Sequence, residues 1–460
     1  MALSSATVWE CRTTGNDLNG GGFRGGAAGN DYTQQDSPVL SLSDCDAVNT
    51  TNLHSLTGGF TSAMVGNLIQ ISGGSLTPGY YEIKTFMDVQ NITLDRICGT
   101  GSGSTGRIGG GLATLSKLAS SMIGSNKAFV RGSGIYTSTA TITFAANVTP
   151  TNTVPPSRLI GYSTVRGDNG LFTVQLQTNS NLTALNFAGS GWVAEGANVD
   201  CNSLPSSTGI SLGGQYSDCR RCRVSNFTSS GIMAVTTDSA ISDCEITAGK
   251  TGATGISTSS ANVKIIRNYV HDNLGVGISA TYDDDVTWNV VTNNAGATSD
   301  GIRIGYGTVA MFNTVHNNGR NGISKVDNSL INGQMRNNIL SANAGYGYSG
   351  GASPGLPADS RYDGNAYFNN TLGPRVNCDD ISGVNSVNPY INILDAILTT
   401  NPFSNPSSSD WSLNSAAGGG ALCRAAGSPG LLMGSSKAGF VDFGALQHQD
   451  TIAIVSFISG

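Results

Sequence analysis

From about residue 200 onward, apolar and polar positions alternate in short bursts separated by turns, without the apolar spacing of three and four residues that marks helices. The stretch NVVTNNAGATSDGIRIG, Asn289 to Gly305, is representative: a β-branched fragment, paired asparagines, a turn of small residues and a second β-branched fragment. Aligning the chain on it gives a column of small polar residues at Cys222, Cys244, Asn268, Asn289, Asn313, Asn337 and Asn365, spaced by about 21 to 28 residues. Two residues after each stands Val224, Ile246, Val270, Val291, Val315, Ile339 or Tyr367. A Gly-Ile column advances in step, at Gly209 and Ile210, Gly231 and Ile232, Gly255 and Ile256, Gly277 and Ile278, Gly301 and Ile302, and Gly322 and Ile323.

Each repeat thus predicts two short strands, and neither could bury its apolar face alone. Stacking the repeats buries it. The leucine lattice of leucine-rich repeats is missing, which leaves an all-β parallel solenoid with like residues about 4.8 Å apart on successive coils. In such a stack Asn exchanges amide hydrogen bonds from coil to coil, Val and Ile fill the bore, and Gly supplies the corners. Residues two apart on a strand face the same way, so the Cys/Asn column points inward and forms a structural ladder in which Cys222 and Cys244 are core thiols.

A solenoid needs caps over its end coils. ATLSKLASSMIGSN reads as one: Thr114 is a helix N-cap, Leu115, Leu118, Ala119 and Met122 form the apolar stripe, and Gly124 ends it. Residues 24–111 do not follow the coil period, and VGNLIQISGG and GYYEIKTFMDVQNITLDRI predict antiparallel strands in an inserted small β module. The expected order is a strand and turn over 1–23, the module over 24–111, the capping helix over 112–126, the parallel β-helix over 127–375, and last coils, cap and assembly strand over 376–460. The uncharged TIAIVSFISG at the end is expected to pair with another subunit or dock on a partner.

Composition narrows the function classes. Charged residues are 12% of the chain, Gly numbers 62, and the net charge is -6 with no basic run, so neither a disordered polyelectrolyte nor nucleic-acid binding is expected. The start, MALSSATVWECR, has no cationic and apolar signal pattern, and IAIVSFI is too short to span a bilayer. A soluble chain made in a cytosol, without membrane insertion, is expected. Nine cysteines then read as reduced, mostly buried thiols.

TTGNDLNGGGF, ATLSKLASSM and VRGSGIYTS resemble the opening turn, capping helix and first strand of right-handed parallel β-helix proteins of the pectate-lyase-like and tailspike-like superfamily. DWSLNSAAGGGALCRAAGSPGL and GFVDFGALQHQD are similar to its last coils. A small module ahead of the β-helix resembles proteins of tailed phages. The resemblance implies a homotrimeric, non-enzymatic virion protein, a capsid decoration or tail-associated spike that contacts other virion proteins and host surface polysaccharide. The alternative is a polysaccharide-cleaving tailspike depolymerase, a glycosidase or lyase.

Cleavage would call for paired carboxylates. Asp283, Asp284 and Asp285 form a run in one turn, and if it is extended Asp283 and Asp285 project on one side about 6 to 7 Å apart, suiting an inverting acid–base pair or a Ca²⁺ clamp. Against this, the turns one coil either way, near Asn262 and Thr308, carry no acid. His271 and His316 fall two coils apart, about 10 Å, too far for one metal ion, and read as surface residues. Cys219 and Cys222 have C-x-x-C spacing, but no second such pair completes four zinc ligands. GGGFRGG and GTGSGSTGRIGGG lack a Walker lysine and read as turns. No cofactor and no metal are expected.

Overall fold

The computed structural model describes residues 3–177, 181–325, 333–350, 361–376, 395–424, 426–427 and 442–447. The predicted assembly strand over 451–460 lies outside them. The chain divides into two compact units, Met1–Glu245 and Ile246–Gly460.

In the first unit, Thr7–Cys11 pairs in parallel with Lys127–Arg131, followed by Ser157–Tyr162, Trp192–Glu195, Asp218–Arg220 and Ala240–Ser242. A second parallel sheet runs through Ile135–Ser138, Phe172–Leu176, Ala197–Asp200 and Arg223–Ser225. A third runs through Ile142–Phe144, Thr183–Phe187, Thr208–Leu212 and Ser230–Ala234. Each coil therefore contributes three strands, one more than the sequence pattern shows.

The second unit repeats this plan. Its first sheet runs from Lys264–Ile266 through Asp285–Thr287, Val309–Met311 and Gln334–Arg336 to Arg361–Asp363. The second runs from Tyr269–His271 through Val290–Thr292, Thr314–His316 and Ile339–Ser341 to Ala366–Phe368. The third carries the predicted isoleucine column, with Ile256, Ile278, Ile302 and Ile323 in register.

The asparagine ladder runs inside this unit. Asn268 Nδ2 donates to Asn289 Oδ1 (3.0 Å), Asn289 to Asn313 (3.1 Å), Asn313 to Asn338 (3.0 Å) and Asn338 to Asn365 (2.9 Å). Each also accepts the backbone N–H of the preceding member, as Asn289 Oδ1 does from Asn268 N at 2.9 Å. The member after Asn313 is thus Asn338, not Asn337, and the inward apolar partner is Leu340, opposite Val315, not Ile339. Asn337 is the corner residue, with φ 58°.

The corners explain why the ladder exists. The residue before each member is left-handed: Arg221, Asp243, Arg267, Trp288, Phe312 and Asn337 have φ between 50° and 62°. Such a residue swings the chain from the first sheet into the second, and the backbone groups at the bend no longer face ladder partners. The inward amide meets that need: Asn289 Nδ2 donates to Ile265 O (2.8 Å) on the coil before.

Glycine was expected at these corners, but the Gly-Ile column serves another purpose. A Cβ on Gly277 would lie 2.5 Å from both Gly301 O and Val291 Cγ1, and one on Gly301 would lie 2.4 Å from Val315 Cγ1. The column is glycine because the valines of the second sheet fill the space where a side chain would stand.

In the first unit the helix Leu115–Ser121 forms as expected, with Thr114 Oγ1 accepting from Lys117 N at 3.1 Å and Leu115, Leu118 and Ala119 buried. Asp17, from the TTGNDLNGGGF turn, accepts from the N–H groups of Ala113 and Thr114 (2.9 Å each) and from Thr114 Oγ1 (2.7 Å), tying the turn to the helix start. The insertion is a closed antiparallel barrel of six strands between Leu40 and Ile108, around Leu42, Cys45, Ile69, Ile83, Ile92 and Ile108.

Beneath the barrel's lead-in lies a buried charge network centred on Glu10, which is 0% exposed. Its carboxylate accepts from Arg12 Nε (2.9 Å), Arg166 Nε (2.9 Å), Arg166 Nη2 (2.6 Å) and the Tyr162 hydroxyl. Arg166 continues to Asp31 (2.7 Å) and Arg12 to Asp36 (3.0 Å). The first strand, the lead-in to the barrel and an early coil are joined at one carboxylate.

The region expected to form last coils is put to two uses. Ala396–Ile397 adds one more parallel strand beside Ala366–Phe368. The hairpin of Phe403–Asn405 and Asp410–Leu413 instead packs Phe403, Trp411 and Leu413, together with Phe443, against Val290, Ile339 and Ala366.

Candidate functional site

The strand Val276–Tyr282 ends at the acid run, and the run is not extended. Asp283 takes a left-handed conformation, φ 47°, and its N–H donates to Tyr306 O (2.7 Å) on the next coil. That bend breaks the period of two on which the Asp283–Asp285 spacing depended. Asp284 turns fully inward, 0% exposed, and accepts from Thr258 Oγ1 (2.7 Å), Val263 N (2.9 Å) and Thr281 N (3.0 Å). Burial pushes its carboxyl up to about 6, against those hydrogen bonds. It stitches one coil to the one before, as the ladder amides do.

Asp285 opens the next strand, opposite Lys264 and Val309. Desolvation along the sheet raises its carboxyl, and the Lys264 ammonium opposes that rise. The Asp283 carboxylate lies over Gly307, where a Cβ would stand 1.8 Å from its Oδ1. From the flanking turns, Ser259 to Val263 and Gly307 to Val309, no further carboxylate is supplied. Beside the run, Tyr282 and Tyr306 are in register on successive coils and exposed, at 53% and 41%.

Asp300 is a second acid, unremarked in the pattern except as part of SDGIRIG, and it is 0% exposed. It accepts from Arg303 Nε (3.0 Å), Arg320 Nε (2.7 Å), Asn321 N (3.1 Å) and Ser324 Oγ (2.7 Å). Burial pushes its carboxyl up, but Arg320, Ser324 and Arg303 outweigh it and hold the group ionised. With its oxygens so engaged, it acts as a joint between coils.

The histidines are two coils apart, with Thr292 between them. His316 is not a surface residue: its ring centroid lies 5.8 Å from Phe403 and 5.1 Å from Trp411, under the hairpin, and Nδ1 is 2.9 Å from Ser341 Oγ. Burial lowers its imidazole to about 4. His271 stacks on Tyr269 at 3.9 Å and pairs with Asp272 at 2.7 Å.

A second inward ladder also escaped the sequence reading. Asn273, Asn294, Asn318, Asn343 and Asn370 are linked Nδ2 to Oδ1 at 2.8, 2.9, 3.0 and 2.9 Å. Each stands five residues after a member of the first ladder, a constant offset that the sequence displays. In the first unit, Cys222 and Cys244 are buried as expected, and Cys219 turns inward to meet them.

Residues 208–356 match the family model described as the right handed beta helix region. Among solved structures, a pectate lyase, Pel9A, superimposes with a TM-score of 0.55 at 12% identity, over 74% of this chain and 92% of that one. A Geobacillus virus E2 protein, ORF18, gives 0.45 at 14% identity (57% of this chain, 55% of that one), and the Dettilon tailspike protein 0.40 at 14% (62% and 56%). A search with the sequence finds no matching curated protein. No helix among the described residues is long and apolar enough to cross a membrane. With its parallel three-strand coils and the match to that family model, the fold is a right-handed parallel β-helix.

Proposed function

We propose that this chain is a non-enzymatic structural protein of a tailed-phage virion, a rigid β-helix carried on the particle as capsid decoration or tail-associated spike. The observation that carries the non-enzymatic reading is the fate of the acids: Asp284 and Asp300 are spent on bonds between coils, and Asp283 bends away from the geometry an acid–base pair needs. The viral setting rests on the resemblance of a small β module placed ahead of a β-helix to proteins of tailed phages. A shaft with two inner amide ladders leaves few backbone groups at its corners open to water, which suits a particle exposed to shear and proteases.

The chain is assigned as a homotrimer in contact with other virion proteins. Light scattering after size exclusion tests the oligomer, and antibody labelling of intact particles tests the location; unlabelled particles would overturn the virion assignment. Incubation with capsular or lipopolysaccharide fractions should release no new reducing ends and no unsaturated uronates.

One observation favours a second reading, contact with host glycans: Tyr282 and Tyr306, in register on strands about 4.8 Å apart, are both exposed next to Asp283 and Asp285. Turnover of polysaccharide by the native protein, abolished in Asp283→Asn or Asp285→Asn, would replace the structural reading by the enzymatic one. Binding without turnover, weakened at least tenfold in Tyr282→Ala/Tyr306→Ala, would make the shaft a receptor as well.

A further inference from the structure

Cys219, Cys222 and Cys244 come from two successive coils and meet inside the first unit. Their sulfur atoms lie within 4.8 Å of one another, and Cys219 Sγ is 3.9 Å from Cys244 Sγ. All three are buried, at 0, 1 and 2% exposure. Cys222 and Cys244 precede the second-sheet strands at equivalent corners, whereas Cys219 lies on the first sheet. The left-handed Arg221 between them brings Cys219 and Cys222 to the same point.

We propose that these three thiols form a binding site for one soft divalent d¹⁰ metal ion of the zinc and cadmium class, held by three thiolates and stapling two coils together.

Geometry supports it first. Three sulfurs around an ion at the usual distance of about 2.3 Å stand about 4.0 Å apart (2.3 Å times the square root of three), and slightly farther apart for a larger ion. The cluster already has that dimension, so binding needs little rearrangement. Softness selects the ion: thiolates reject Mg²⁺ and Ca²⁺, which take oxygen. Among the described residues no fourth His, Cys, Asp or Glu joins the group, so three protein ligands are expected.

Charge supports it next. Binding is 3 RSH + M²⁺ → [M(SR)₃]⁻ + 3 H⁺, with no change of oxidation state. A monovalent ion would leave two buried negative charges; a divalent ion leaves one.

The test loads the ion during folding, because the three thiols are buried in the folded chain. The full chain is expressed in medium containing cadmium, purified, and treated with EDTA to strip surface ions. The expected result is one retained Cd²⁺ per chain, an ultraviolet sulfur-to-cadmium charge-transfer band, and a ¹¹³Cd resonance in the three-sulfur range. Cys219→Ser, Cys222→Ser and Cys244→Ser should each lower retention at least tenfold, while Cys201→Ser, at another buried thiol, leaves it unchanged. Wild-type protein free of cadmium after EDTA overturns the proposal, as does retention that survives in Cys222→Ser and Cys244→Ser. Should those variants fail to fold, the wild-type ¹¹³Cd resonance decides alone, since one or two sulfur ligands give a different shift.

Discussion

Replacing Asn289 by Ala cuts the first ladder at its middle. The side chain makes four buried hydrogen bonds: it accepts from Asn268 N (2.9 Å) and Asn268 Nδ2 (3.0 Å), and donates to Ile265 O (2.8 Å) and Asn313 Oδ1 (3.1 Å). At about 1 to 1.5 kcal/mol net for each bond, the loss is about 4 to 6 kcal/mol, large against typical total stabilities. Gln177→Ala is the control: that side chain is exposed and donates to Gln175 Oε1 at 2.8 Å, so its loss should stay below about 1 kcal/mol. Asn289→Cys should fall between them, because a thiol at this corner donates to carbonyls, as Cys222 does to Arg220 O (3.3 Å), but accepts little. Guanidinium unfolding followed by circular dichroism gives the midpoints, or unfolding rates if refolding is incomplete. Equal shifts for Asn289→Ala and Gln177→Ala would refute the idea that inward amides hold the coils together.

Three further outcomes are expected. Glu10→Gln leaves Arg12 and Arg166 facing an amide in a buried site, which should cost about 3 to 5 kcal/mol and lower the thermal midpoint of the full chain; an unchanged midpoint would show the network to be incidental. Gly277→Ala forces a methyl to 2.5 Å from Gly301 O and Val291 Cγ1 and should destabilise by about 1 to 3 kcal/mol by the same assay, whereas Gly252→Ala, with open space around it, should be penalised only by its left-handed φ. Asp284, raised from 3.8 to about 6, contributes stability that is present below its unfolded value and lost as pH rises through about 6, while His316, lowered from 6.5 to about 4, contributes stability that is present above its unfolded value and lost as pH falls through about 4. Each is worth about 3 kcal/mol, and they oppose one another between about pH 4 and 6.5. Denaturation midpoints for Asp284→Asn should therefore rise with pH across that window and those for His316→Gln should fall, and slopes of the same sign in both variants would contradict the assignment.

The solenoid was legible because one coil is one period, so inward residues recur at nearly constant spacing. The slip at Asn337 arose where two asparagines adjoin and only one column was followed. Asn343 stands five residues after Asn338, just as Asn318 follows Asn313 and Asn294 follows Asn289; counted from Asn337 the fifth residue is Ala342. The offset therefore selects Asn338. The third strand of each coil was invisible for a different reason. Segments such as Lys264–Ile266 and Asp285–Thr287 are three residues long with only the central residue, Ile265 or Val286, wholly buried, too short for alternation to register. The Glu10 network and the cover over His316 were out of reach, because Arg166 lies 156 residues from Glu10 and Trp411 lies in a hairpin with no periodic relation to the coil. The three-thiol cluster stood nearer: Cys244 follows Cys222 in the ladder column, but that Cys219 turns inward depends on the left-handed backbone of Arg221, an arginine conformation that composition does not announce.

The same reasoning separates what the β-helix needs from what it carries. Asp284, lying between Asp283 and Asp285, looks in sequence like the centre of a reactive run, yet it turns inward and accepts from the Val263 N–H and the Thr258 hydroxyl on the coil before and from the Thr281 N–H on its own. Function on such a scaffold is to be sought among residues whose removal costs the stack nothing. Tyr282 and Tyr306 satisfy that criterion: they face outward, remain exposed, and line up only because successive coils are in register. Strand pairing between the coils sets the register of those two residues. A glycan contact there would therefore inherit its spacing from the pairing of successive coils, which is how the architecture of the stack reaches the surface of the molecule.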